Sequence, residues 1–190
     1  MLHQLELNLQ NRVRSELKPG ESVVWVGQPD PKRAVWFGFA LWFFFIPWTA
    51  FALFWTAGAA GFKIPTFTHV TDLFPLFGVP FILIGFAGLG SPYWIWKRAL
   101  NTVYVITDRR AFSMEGWRTM TIRSYPPEKL GSIVRKERAD GSGDLILDTT
   151  WYKDSDGDNR RNDLGFYAIP DVKRVEYLLE RLAATGRQLQ

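Results

Sequence analysis

The 190-residue sequence predicts a membrane protein: a two-helix transmembrane hairpin plus a small antiparallel β-barrel or sandwich, capped by a C-terminal α-helix. Three observations carry this. Charge nearly vanishes from the middle of the chain. Residues 34–96 hold one basic and one acidic side chain, Lys63 and Asp72, against five and four in 1–33 and seventeen and fourteen in 97–190. Twenty of the thirty aromatic residues lie in that same stretch. Beyond it, short β-branched and aromatic runs alternate with turns, and the last run has a helical period. The mean hydropathy of -0.09 therefore averages two unlike parts. The expected organisation is an N-terminal helix and strand in 1–33, a hairpin in 34–96 with helices at about 34–58 and 74–96, and a β domain with its helix in 97–190.

Residues 2–17 carry Leu2, Leu5, Leu9, Val13 and Leu17 at spacings of three and four, which predicts an amphipathic helix. Pro19 and Gly20 end it. Glu6, Asn8 and Glu16 dilute any basic face, so packing on the soluble domain is favoured over lying on a membrane surface. Residues 22–26 form a strand, and Gly27-Gln28-Pro29-Asp30-Pro31 turns the chain into the first apolar helix.

That helix has no charge from 34 to 61, a run of about 42 Å at 1.5 Å per residue, against a hydrocarbon core of about 30 Å. Pro47 should bend it. The second segment, 73–96, contains Pro75, Pro80 and Pro92 with Gly85, Gly88 and Gly90, and its helix proper should begin near Leu76 and be bent. Trp36, Trp55, Tyr93, Trp94 and Trp96 sit where rings meet headgroups. Trp42 and Trp48 lie too deep for that rule and belong between helices or against a second copy. Ala52, Thr56 and Ala60, and Ala57 and Gly61, repeat small residues at a spacing that permits close helix approach. Lys32 and Arg33 before the hairpin and Lys97 and Arg98 after it, against Lys63 alone in the loop, put both termini in the cytoplasm. Residues 1–14 lack the apolar core of a cleaved signal peptide. His69 reads as a solvated loop histidine.

Strands follow at 102–107, 111–115, 120–125, 131–136, 145–149 and 163–169. A turn falls at Asp108-Arg109. Pro170 and Asp171 open the closing helix, Val172, Val175, Leu178, Leu179 and Leu182 form its apolar face, and Gly186 is placed just past its end.

Several of these stretches match known patterns. Asn101-Thr102-Val103-Tyr104-Val105-Ile106-Thr107-Asp108-Arg109-Arg110-Ala111 resembles the TxYxITdrR signature of bacterial PH-like (pleckstrin-homology-like) domains. Ala139-Asp140-Gly141-Ser142-Gly143-Asp144-Leu145 resembles their dGsGdl turn, and Gly165-Phe166-Tyr167-Ala168-Ile169-Pro170-Asp171-Val172 their closing strand and helix start. Pro19-Gly20-Glu21-Ser22-Val23-Val24-Trp25-Val26-Gly27-Gln28-Pro29 resembles the pGExvlWxGqP segment that precedes the membrane hairpin in such proteins. The resemblance covers most of the chain in one order and implies a helix-capped PH-like β-barrel attached to the membrane, but little about activity. A basic phosphoinositide pocket of the eukaryotic kind is not implied. Strand 22–26 and the strands after 102 fall on one side of the membrane, so the hairpin reads as an insertion within one domain.

Chemistry is sparse. There is no cysteine, hence no disulfide, thiol nucleophile or zinc–thiolate site, and only His3 and His69 offer imidazole. No phosphate-binding G-x-x-x-x-G-K loop and no G-x-S-x-G elbow is present. Asp154, Asp156 and Asp158 begin like a calcium loop, but Asn159 stands where glycine should follow and Gly165 where the bidentate glutamate belongs, so a solvated hairpin tip is expected. A surplus of three basic charges over 97–190 does not suit nucleic acid. Neither apolar segment carries a mid-membrane charge of the kind that marks an ion path. Lys97, Arg98, Arg109 and Arg110 are the candidates for membrane-surface contact. The expectation is a non-enzymatic scaffold in the bacterial inner membrane, without cofactor, that binds a protein or assembles with itself. The alternative is a tethered sensor of anionic lipid.

Overall fold

The computed structural model describes residues 5–63 and 70–188. Leu2, His3, His69 and most of the 62–72 loop lie outside them. The chain divides into two compact units, Lys32–Lys97 and, from its two flanks, Met1–Pro31 with Arg98–Gln190.

In the apolar unit, helix α2 (Pro31–Ala59) runs through Pro47 as one element. A 3-10 helix (Val70–Gly78) leads into α3 (Val79–Leu89) and α4 (Ser91–Leu100). The α-helix proper thus starts at Val79 rather than near Leu76. Pro75 and Pro80 lack amide donors, which suits a short 3-10 stretch and then a first helical turn. The expected bend is present: the segments 73–89 and 91–100 meet at 43°. It falls at Gly90, just before Pro92.

The two legs pack along a seam of glycines and threonines. A Cβ on Gly85 would lie 2.4 Å from Thr49 Oγ1, and one on Gly78 1.9 Å from Thr56 Oγ1. Gly88 faces the Phe45 ring in the same way. The Thr49 and Thr56 hydroxyls turn back onto the carbonyls of Phe45 and Ala52, so neither is left without a partner in an apolar setting. Trp42 donates to the Leu89 carbonyl at 2.6 Å and Trp48 to that of Phe81 at 3.2 Å. Of the two places expected for these indoles, the one between helices is observed.

The β unit holds two antiparallel sheets. Sheet A has the order β1 (Val23–Gly27), β2 (Thr102–Thr107), β3 (Ala111–Glu115), β4 (Thr121–Tyr125). Sheet B has β5 (Val134–Glu137), β6 (Gly143–Lys153), β7 (Asn159–Ile169). Among the described residues the sheets do not join into a closed barrel. Strand β1 pairs with β2 across the whole insertion, Val26 opposite Val105. Strands β6 and β7 are longer than their apolar runs because 149–153 and 159–163 pair with each other beyond the core.

Both faces of β2 are buried, which explains its unbroken apolar run. Tyr104 and Ile106 face the sandwich and join Tyr125, Leu145, Leu147, Phe166, Val175 and Leu179. Val103 and Val105 face outward and are covered by Leu5, Leu9 and Val13 with α1 (Leu7–Glu16). The N-terminal helix therefore packs on the domain. Helix α5 (Val172–Gln188) closes one end of the sandwich, and Asp171 accepts the Arg174 amide at its start. It does not stop before Gly186. That glycine is inside the helix, where a Cβ would sit 2.3 Å from Pro127 Cβ, so it serves close approach rather than termination.

Candidate functional site

Two motifs separated by the insertion turn out to be one structure. The amide of Ser22 donates to Asp108 Oδ1 and the amide of Asp108 to the Ser22 carbonyl. Arg109 reaches the carbonyls of Pro19 and Gly20. Glu21, its side chain fully buried, accepts from Thr107 Oγ1 at 2.8 Å, Arg110 Nε at 3.0 Å and the Lys18 amide at 2.7 Å. Arg110 also donates to the Glu16 carbonyl and lies over the Phe112 ring. Burial alone would raise the Glu21 carboxyl. The Arg110 guanidinium, the Lys18 amide and the Thr107 hydroxyl outweigh it and hold the group below its ordinary 4.5. This network fastens β1 to the β2–β3 turn.

It also fixes where the four candidate membrane-contact residues stand. Lys97 and Arg98 precede the start of β2, while Arg109 and Arg110 follow its end, roughly 20 Å away for six extended residues. They make two pairs rather than one patch. The Arg110 side chain is 11% exposed and Arg109 is held on backbone carbonyls. Arg98 is 72% exposed and pairs with Glu115 at 2.8 Å. Lys97 lies over the Tyr93 ring.

A concave polar feature, absent from the sequence reading, occupies the β unit. A cleft of about 270 Å³ is lined by Arg98, Glu115, Arg123, Tyr125, Asp163 and Tyr167, with 162, 164 and 165 completing it. The Glu115 carboxylate holds Arg98 with one oxygen and Arg123 with the other, at 2.8 and 3.4 Å. Burial pushes the phenols of Tyr104, Tyr125 and Tyr167 up, Tyr167 to about 12, so all three are protonated at neutral pH. The signal was present as period two. Glu115 and Arg123 are in phase with Ala111 and Tyr125, so alternation alone sends them toward the interior.

At the β6–β7 tip, Asp154 and Asp158 close a turn by backbone hydrogen bonds, Gly157 has a φ of 82°, and Arg160 pairs with Asp154. This is a solvated hairpin tip. No group of three or more metal-ligating side chains occurs among the described residues.

A family model described as Bacterial PH domain matches residues 34–183. The match takes in the apolar unit, strands β2–β7 and most of α5, and leaves α1 and β1 outside it. No curated protein and no solved structure matches the chain.

Proposed function

The chain belongs to the bacterial PH domain family, and from that premise we propose that its β unit is a non-catalytic binding or scaffold module carried on a membrane hairpin. The module and both termini lie in the cytoplasm, and the partner is a protein or a second copy. The pairing of β1 with β2 is the observation that carries this reading. Because residues 23–27 and 102–107 share one sheet, an insertion that enters the bilayer must return to the side it left. Helix α2 supports the entry. Its most apolar 18-residue window is only 18% buried within the protein, so most of that surface needs a cover of lipid or protein. Trp42 and Trp48 lend no support to self-association, since their N–H groups are bonded within the chain.

Reporter fusions test the topology. A cytoplasm-dependent reporter should be active at either terminus and a periplasm-dependent one at neither. Activity of the periplasmic reporter at one end alone would sink the hairpin. Release of the protein from membranes by alkaline carbonate would sink the anchor.

A second reading has its own observation. Lys97 and Arg98 lie in the last turn of α4, just before β2, and basic residues near an anionic leaflet contribute about 1 kcal/mol each. Replacing both with glutamate should weaken salt-dependent flotation with anionic liposomes. Unchanged flotation would remove the lipid-contact reading.

A further inference from the structure

The inner face of sheet A changes character along its length. Register sets Tyr104 opposite Ser113, Ser113 opposite Arg123, Thr102 opposite Glu115 and Ala111 opposite Tyr125. These side chains therefore share one face, and Tyr104, Ala111 and Tyr125 place that face in the core. Nearer α5 it is apolar. Farther along it presents Ser113, Glu115 and Arg123. A small sandwich gains nothing from inward charge at those positions unless something uses it.

The cleft that opens there has a distinctive charge balance. Its lining includes two guanidinium groups, Arg98 and Arg123, and two carboxylates, Glu115 and Asp163, so its formal net charge is zero. Each arginine gives Glu115 one N–H, and the remaining four of each fork have no acceptor among the described residues. Asp163 receives Arg161 and Thr149 on Oδ1, and its Oδ2 has no donor. The Tyr125 hydroxyl, on a residue 2% exposed, has no partner. N–H donors without a protein acceptor and a carboxylate oxygen without a protein donor thus line one small space. A polyanion would meet two carboxylates and a simple cation two guanidinium groups. A ligand with both charges meets neither penalty. Eight open N–H groups exceed what one carboxylate can accept and suit the oxygens of a phosphate. At about 270 Å³ the space suits a headgroup-sized molecule, just below the roughly 300 Å³ where pockets for larger ligands begin.

We propose that this cleft binds a zwitterion of the phosphoethanolamine class, with the phosphate on Arg98 and Arg123 and the ammonium against Asp163. The ligand is a lipid headgroup or its water-soluble glycerol derivative, which share this chemistry. The inference rests on the reading of the β unit as a binding module and not on the hairpin's crossing a bilayer.

The test uses the full chain in a mild detergent. Phosphatidylethanolamine and phosphatidylglycerol of matched acyl chains are titrated separately, and bound lipid is counted by native mass spectrometry. Glycerophosphoethanolamine is titrated in a parallel arm. The wild type should hold phosphatidylethanolamine at least about tenfold more tightly than phosphatidylglycerol. Arg123→Gln should weaken that binding by about tenfold. Asp163→Asn should remove the preference between the two lipids. Arg98→Gln, at an exposed side chain, is the second variant should Arg123→Gln unfold. Arg181→Gln, on the exposed face of α5 and outside the cleft lining, should change nothing. Binding of the soluble derivative assigns a free ligand, and binding of the lipid alone assigns a headgroup; both support the site. Equal affinity for the two lipids, preference for phosphatidylglycerol, or indifference to both arginine variants would overturn it. None of these outcomes depends on the reporter fusions, so the cleft and the anchor fail separately.

Discussion

Glu21 shows how one side chain can hold a divided domain together. Its carboxylate is buried, yet it takes hydrogen bonds from Arg110, Thr107 and the Lys18 amide. Glu21→Gln keeps the shape and removes the charge, leaving the Arg110 guanidinium with Glu16 alone. It should cost about 3 kcal/mol in denaturant unfolding of the solubilised protein, the lower end for breaking a buried ion pair. A loss below about 1 kcal/mol would mean that Glu16 takes over. The pH dependence follows from the direction of the shift. The folded carboxyl sits below 4.5 and the unfolded one near it, so the contribution is complete above about pH 4.5 and is lost as pH falls through the folded value. Wild type should therefore lose stability on acidification faster than Glu21→Gln, and parallel curves would contradict the assignment. Neither partner was legible as such. In the sequence Arg110 reads as a candidate for membrane-surface contact, because the Glu21 that pairs with it is 89 positions away.

Among the elements, the seam of α2 and α3 makes the sharpest demand on sequence. Gly85→Val would drive its branches into Thr49, whose Cα is already 3.3 Å from the missing Cβ. It should cost about 1–3 kcal/mol of thermal stability in detergent, the usual price of overpacking. Gly58→Ala is the matched control in the same unit. Nothing lies within 4 Å of its Cβ, so it should be neutral or gain up to about 1 kcal/mol from helix propensity. Equal melting shifts for the two would mean that the seam does not pack as described. Element ends moved where pattern and pairing diverge. Apolar alternation marks only the part of β6 and β7 that touches the core, whereas their hairpin continues to Lys153 and Asn159 by hydrogen bonding alone. Gly186 was misplaced because glycine marks both helix ends and close contacts, and the contact with Pro127 is tertiary.

For the whole molecule, the N-terminal segment is as much a part of the β unit as the strands after the insertion. Leu9 and Val13 cover Val103, Val105, Phe112 and Met114, each worth about 1.5–3 kcal/mol when fully buried. A chain beginning at residue 21 should therefore expose that face and elute as aggregate in size-exclusion chromatography, while the intact chain gives a single peak. A monodisperse truncated protein would show that α1 is dispensable. The apolar middle, the seven strands and both amphipathic helices are legible along the chain, because charge depletion and periods of 2 and 3.6 are local properties, and the family is legible in the resemblance of its motifs. The tertiary structure alone decided that the two flanking motifs are each other's partners. It also decided that Arg110 is buried against Glu21, and that Glu115 and Arg123 share a cleft with Asp163. Those facts depend on which distant strands pair and in what register, and no window along the sequence contains that information.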